Sequence, residues 1–339
     1  MRIRHLIAFV ILVAGFYACS KRDNVIDSFV GFQNPSGFPA PTYHFSTNRV
    51  TKDGFELGRK LFYDQAFSQN YSISCANCHI QTGGFAHPGH SVSHGIHDLP
   101  GTRNSPPIMN LAWYKTFMWD GGIFDLDLQP VAPIVNHVEL DNTTEEIVNR
   151  ISNNAAYAPM FSKVFGSSQV TGVKIFQALS RFMLMCVSAN SKYDSVKSGN
   201  ASFTLNEEAG YQLFKQKCDA CHHEPLFTID DFKSNGLTPS NVNDLGRFNV
   251  TLNEADKYKF HIPSLRNLRF TGPYMHDGRF LDLAGVLNHY RNGIDANGRP
   301  DPAISSGISM SDDEVGKILS FLETLNDRKF VTDPRFSAP

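Results

Sequence analysis

Two short stretches carry the most specific chemistry in this chain: Cys75-Ala-Asn-Cys78-His79 and Cys218-Asp-Ala-Cys221-His222. Two thiols three positions apart suit half of a zinc site, a dithiol redox pair, or covalent attachment of a c-type haem. A zinc site needs a second ligand pair to close a tetrahedron. A redox pair has no use for the histidine that follows. Haem attachment employs every position: both thiols add across the porphyrin vinyl groups, and the adjacent imidazole ligates the iron from the proximal side. The surrounding text repeats as well, with Gly58-Arg-Lys-Leu61-Phe62 before the first motif and Gly210-Tyr-Gln-Leu213-Phe214 before the second. The chain therefore reads as a degenerate internal repeat carrying two covalent haems c. The competing expectation is one zinc ion held by all four thiolates.

A histidine-ligated haem leaves its other face to be specified, and what stands there decides between electron transfer and reaction with a small molecule. Between and after the motifs lie Arg103-Asn-Ser-Pro-Pro-Ile-Met-Asn110, Phe117-Met-Trp-Asp-Gly121, Gln129-Pro-Val-Ala-Pro133-Ile-Val-Asn-His-Val-Glu139, Pro263-Ser-Leu-Arg-Asn267 and Thr271-Gly-Pro-Tyr-Met-His-Asp-Gly278. Over about residues 50 to 325 these segments closely resemble the bacterial diheme cytochrome c peroxidase and MauG family. Trp119, Gln129 and Glu139 reproduce the family's two intervals of ten residues.

The resemblance implies roles. Glu139 would shuttle a proton during peroxide cleavage, as a carboxyl group in a dry pocket can. Gln129 would orient peroxide or water, Pro133 would shape the distal pocket, and Trp119 would relay charge between the haems. Ser91-Val-Ser-His94-Gly95 resembles the loop whose histidine supplies a sixth ligand in some members, which makes His94 a possible distal ligand. His87, His90 and His97 lie close by. A calcium ion is implied by Asn104, Thr271 and Pro273, an oxygen-only set that suits a hard cation. At the second haem, electron-accepting members place a methionine nineteen residues after the threonine of Thr-x-Pro-Tyr. Here that position is Tyr290, as in the MauG branch. A phenolate favours ferric iron where a thioether favours ferrous. Met275 and Met310 are the alternative ligands.

Three functions follow as expectations. The leading one is a peroxidase that reduces hydrogen peroxide to water at the first haem and draws on a small redox donor, a c-type cytochrome or a cupredoxin. The second is a MauG-like oxidase of a partner protein, and the third a diheme electron carrier without catalysis. A net charge of −2 with 19% charged residues argues against nucleic acid as a partner.

The elements that must position these residues are mainly helical. Residues 1–18 resemble a lipoprotein-type signal, with Arg2 and Arg4 ahead of an apolar stretch that ends at Ala18-Cys19. Lipidation of Cys19 would make the N-terminus the only membrane attachment, on the periplasmic side where c-type haem is attached. Residues 19–46 read as a polar tether, 47–195 as the first haem domain and 196–339 as the second, electron-transfer domain. Phe55, Gly58, Leu61 and Phe62 make an apolar helical face. Capping boxes are expected at Thr143 with Glu146, Thr204 with Glu207, and Ser311 with Glu314, the last opening an amphipathic helix through Val315, Ile318, Leu319, Leu322 and Leu325. Cys186 closes the stripe Ile175, Phe176, Leu179, Phe182, Met183 and reads as a small core hydrophobe. The expected architecture is mainly α, two cytochrome c-type haem domains with long loops that wrap cofactors.

Overall fold

The computed structural model describes residues 29–240 and 242–339, so the N-terminal signal and Cys19 lie outside the described residues. Gly31–Pro339 forms one compact unit. The fold is mainly helical, with long irregular connections and one antiparallel strand pair in which Phe232 faces His261 and Lys233 faces Phe260.

The sequence repeat is a repeat of packing. Helix Lys52–Phe62 crosses helix Gly172–Met185, and helix Leu205–Lys217 crosses helix Asp312–Glu323. Each crossing is made at the glycine of the repeat. A Cβ on Gly58 would stand 1.9 Å from the Ala178 carbonyl oxygen, and a Cβ on Gly210 would stand 1.9 Å from that of Lys317. Only hydrogen fits there, and the absence of a side chain lets the backbones approach. Phe182 and Phe321 take equivalent places beside the two glycines. Around them gather Phe55, Phe62 and Phe85 in one core, and Tyr193, Tyr211, Phe214 and Phe227 in the other.

Two of the three expected capping boxes close. Thr204 with Glu207 and Ser311 with Glu314 exchange both bonds. At Thr143 only the hydroxyl acts, accepting from Glu146 N at 3.1 Å, because the Glu146 carboxylate turns to Arg150 at 2.7 Å. Cys186 is fully buried, and burial pushes its thiol well above the ordinary range.

The ends of the cores differ from the expected boundaries. The part of the tether from residue 31 to 46 is folded: Phe32 and Phe38 pack on Trp113 with centroids 5.6 and 5.0 Å away, and the Trp113 indole donates to the Pro39 carbonyl at 2.8 Å. Aromatic contacts spaced without period gave no pattern from which to expect this. Tyr193 belongs to the second core, while Phe330 and Phe336 from the C-terminal segment pack on Phe85 in the first.

A buried polar knot ties these crossings together. The Asp327 side chain, fully buried, accepts from Ala189 N at 3.1 Å, Asn190 N at 2.9 Å and Phe330 N at 3.0 Å. Asn267 accepts from Asp327 N and donates to Ser188 Oγ, and Asn110 donates to the Ser188 carbonyl. Asn110 and Asn267 both sit in the left-handed region, at φ 56 and φ 63. Asp327→Ala would take the acceptor from three backbone donors, of which the Phe330 amide is buried while Asn190 is exposed, so a loss of about 1–3 kcal/mol is expected in denaturant unfolding of the holoprotein. Unchanged unfolding would show that water replaces the carboxyl group there.

Candidate haem sites and the cavity beside the first

Each haem motif folds as a helical turn in which the histidine amide bonds the first cysteine carbonyl at 3.0 Å, His79 N to Cys75 O and His222 N to Cys218 O. In the first motif Cys75, Cys78 and His79 border one space. There the Asn77 side chain accepts from Ser74 N at 2.8 Å and caps the turn.

The imidazoles are then fixed in the same way. His79 Nδ1 lies 2.8 Å from the Phe85 carbonyl oxygen, and His222 Nδ1 lies 3.2 Å from that of Phe227. A carbonyl can only accept, so Nδ1 carries the proton and Nε2 keeps its lone pair. Phe85 and Phe227 are both fully buried and both left-handed, at φ 59 and φ 57, which turns their carbonyls back toward the rings. Arg266, itself fully buried, donates to the Pro225 carbonyl at 2.9 Å and pairs with Asp194, holding the loop between His222 and Phe227. Burial lowers the pKa of both histidines, that of His222 to about 4, so both rings stay neutral. Burial pushes the thiols of Cys75 and Cys218 up to about 12 and that of Cys78 to about 11. Neutral thiols outside any disulfide and neutral imidazoles with a free Nε2 fit covalent haem c at both motifs. Among the described residues no three His, Cys, Asp or Glu side chains gather as a metal cage, so the four thiols do not form one zinc site.

A cavity of about 490 Å³ adjoins the first motif. Cys78, His79, Gln129, Pro133, Glu139 and Trp119 all line it. A smaller neighbouring space is bounded by Cys75, Cys78, His79, Gln129, Pro133 and Glu139. The short helix Val131–Val135 presents Pro133, and the turn after it presents Glu139. Asn136 Nδ2 donates to Glu139 Oε1 at 2.8 Å, while Ile96 N donates to the Glu139 carbonyl at 2.8 Å. Burial raises the Glu139 pKa, and the Asn136 bond only partly opposes it. Gln129 Nε2 points to the Met118 sulfur at 3.7 Å.

Trp119 stands where the two halves meet. Its indole donates to the Asn104 carbonyl at 2.8 Å, and its own carbonyl accepts from His261 N at 2.7 Å, in the strand that precedes Pro263. Arg103 clamps the adjacent Asp120 at 2.6 Å and Asp244 at 2.6 and 2.8 Å. Asp244 was not singled out in the sequence, because its partner is 141 residues away.

His94 lines neither space. Its Nδ1 pairs with Asp98 at 2.8 Å and its ring meets His90 edge-on at 5.3 Å, while its backbone carbonyl accepts from Cys78 Sγ at 3.6 Å. The loop reaches the haem thiols with its backbone, and the structure does not bring the His94 imidazole to the cavity. The Asn104 side chain meets the carbonyls of His90 and Ser91 at 3.2 Å each, and Gly89 N donates to the Gly272 carbonyl at 3.3 Å. Asn104 and the Thr271–Pro273 turn thus approach the same loop.

Tyr290, on helix Leu283–Asn292, packs at the edge of the second core together with Cys218. Burial pushes its phenol up to about 12, opposed by a hydrogen bond from Asn235 and reinforced by the Cys218 and Cys221 thiols. The thiol contribution disappears once those sulfurs are thioethers. Met275 is held by Asn235 at 3.2 Å, and Met310 is buried in the second core.

Comparison with known proteins points the same way. Residues 52–202 match the family model of the di-haem cytochrome c peroxidases. The MauG methylamine utilization protein of Methylorubrum extorquens is 35% identical over 301 residues, 87% of this chain and 83% of that protein. The cytochrome c551 peroxidase of Nitrosomonas europaea is 34% identical over 279 residues, 80% of each chain. Among solved structures, a MauG-like protein associated with microbial copper homeostasis superposes with a TM-score of 0.83 at 30% identity, covering 92% of this chain and 99% of that one. Two haem-attachment turns built alike, a shared interface that holds Trp119, and similarity along most of the chain make this protein an oxidoreductase with two haems c and a member of the di-haem cytochrome c peroxidase and MauG family.

Proposed function

We propose that the protein reduces hydrogen peroxide to water in the cavity beside His79, with electrons arriving from the Cys218, Cys221 and His222 half by way of Trp119. The observation that carries this reading is the shared cavity of His79, Gln129, Pro133 and Glu139. The haem held by Cys75, Cys78 and His79 would supply the redox-active iron. The balance is one peroxide, two electrons and two protons to two waters.

The chain's own residues account for the proton. Glu139, its pKa raised by burial, can take a proton from one peroxide oxygen and return it to the other, and Asn136 keeps the carboxyl group aimed. Gln129 offers an amide to orient peroxide or water. Pro133 has no N–H to compete for it. Trp119 bridges the halves through Asn104 and His261, and the Arg103 clamp on Asp120 keeps its backbone in place. Calcium at Asn104, Thr271 and Pro273 would brace the same interface, which separates a peroxidatic domain from an electron-transfer domain. A small c-type cytochrome or cupredoxin would serve as donor, on the periplasmic side, with Cys19 as lipid anchor.

Tyr290 beside Cys218 and Cys221 favours a second reading, in which the same oxidising power is turned on a residue of a partner protein as in a MauG-type oxidase. The deciding experiment mixes purified holoprotein with limiting peroxide and follows optical and electron paramagnetic resonance spectra, then adds a reduced small c-type cytochrome. The expected result is two donor molecules oxidised per peroxide. Peroxide left unconsumed, with both irons permanently six-coordinate, would return the protein to a plain electron carrier.

A further inference from the structure

The loop that fixes the first haem histidine is held by the far end of the chain. It runs from His79 to Phe85, whose carbonyl accepts from His79 Nδ1 at 2.8 Å. A phenylalanine does not keep φ 59 unaided, because such a backbone persists only where its surroundings over-determine it. Two of the rings around the fully buried Phe85, Phe62 and Phe182, come from the crossing helices of the first half. The other two, Phe330 and Phe336, come from the C-terminal segment, with centroids 5.7 and 6.2 Å away. The same segment takes a second hold on the loop, where Gln81 Nε2 donates to the Asp333 carbonyl at 2.7 Å. It is itself tied down through its backbone. Arg59 Nη1 donates to the Arg335 carbonyl at 3.0 Å, the Tyr63 hydroxyl donates to that of Phe336 at 2.7 Å, and buried Asp327 caps the start by accepting from Phe330 N. The corresponding residue of the second haem loop, Phe227, packs instead on Tyr193, Phe214 and Phe321.

We infer that Phe330 and Phe336 are positioning residues for the first haem: they hold the Phe85 carbonyl against His79 Nδ1 and so set how strongly that imidazole donates to iron. The inference rests on His79 as the proximal ligand and makes no use of what the cavity reduces. A hydrogen bond from the far nitrogen of a ligating histidine fixes the ring and raises its basicity. A more basic imidazole favours ferric iron over ferrous, so the potential falls. Removing a ring of the segment frees Phe85 to leave the left-handed region, and its carbonyl turns away from His79. The imidazole then donates less, and the potential rises.

The test is a redox titration of the holoprotein together with a resonance Raman spectrum of its reduced first haem. In Phe336→Leu or Phe330→Leu the ferric-to-ferrous ratio of that haem at fixed potential should fall about tenfold, about 59 mV for a one-electron couple. Its iron–histidine stretching band should move to lower frequency. The second haem, whose loop packs elsewhere, should keep its midpoint. Tyr63→Phe removes one tie to the segment without opening the core, so it should move the first haem in the same direction and by less. Should the phenylalanine variants load haem poorly, Tyr63→Phe still reads the effect. Phe161→Leu is the control, because Phe161 is fully buried in the first half but packs on Tyr157 and Phe165. It should destabilise the protein and leave both midpoints in place. A first-haem midpoint and band unmoved by Phe336→Leu and Tyr63→Phe, or moved as far by Phe161→Leu, would overturn the role of the segment. A wild-type spectrum with no iron–histidine band would overturn the ligand reading, and this inference with it.

Discussion

Glu139→Gln is expected to leave both haem spectra in place and to slow peroxide cleavage by about a hundredfold to ten-thousandfold, the usual contribution of a positioned acid-base group. The substitution is nearly isosteric, and glutamine retains an oxygen for the bond that Asn136 Nδ2 now makes to Oε1. What it removes is the ability to accept a proton. Because burial raises the pKa of Glu139, the wild-type rate should climb with pH through a limb above the ordinary carboxylate range. The limb rises because the carboxylate must be free to take the first proton. The variant should lack it. Stopped-flow mixing with peroxide across pH measures both quantities at once. A variant with wild-type rate and the same pH limb would remove Glu139 from the mechanism and leave the cavity without a proton carrier.

The sequence made the residues that line the cavity legible because the haem-attachment motif and its neighbours are local patterns. The Cys-x-x-Cys-His turns, the glycine helices and the spacing of Trp119, Gln129 and Glu139 are each set by residues within one short stretch. The supports were not legible because they are made at long range. Nothing near Arg103 in the sequence announces Asp244, and nothing near Ser188 announces Asp327. The carbonyls of Phe85 and Phe227 depend on a left-handed backbone that a phenylalanine does not advertise. A signal was nonetheless present: an aromatic residue follows each haem histidine at a similar distance, His79 to Phe85 and His222 to Phe227, within the repeat already recognised. His94 is a different case. Its loop resembles one that supplies a haem ligand, and here it reaches the first haem thiols with its backbone while Asp98, four residues on, pairs with the imidazole.

Tyr290→Met should raise the potential of the second haem by a few hundred millivolts, on the order of a third of the roughly 0.8 V over which axial ligands tune haem. A phenolate is a hard anionic donor that stabilises ferric iron, whereas a thioether stabilises ferrous iron. Burial opposes ionisation of Tyr290 and pushes the free phenol up to about 12, so only a strong positive partner would hold it as phenolate at neutral pH. Ferric iron is such a partner. If tyrosine is the ligand, the second haem would be a poorer acceptor from a mild donor than a histidine–methionine haem, which would favour storage of oxidising equivalents taken from peroxide and so the second reading over the first. With methionine it should accept from a small c-type cytochrome readily, and peroxide turnover with that donor should rise. Tyr290→Phe separates ligand from packing: it keeps the ring against Cys218 and the second core but removes the oxygen, so the ferric low-spin signal of that haem should change while thermal unfolding does not. A second haem with methionine ligation in the wild type, indifferent to Tyr290→Phe, would make Met275 or Met310 the ligand and favour an ordinary electron-accepting peroxidase over an oxidase of proteins.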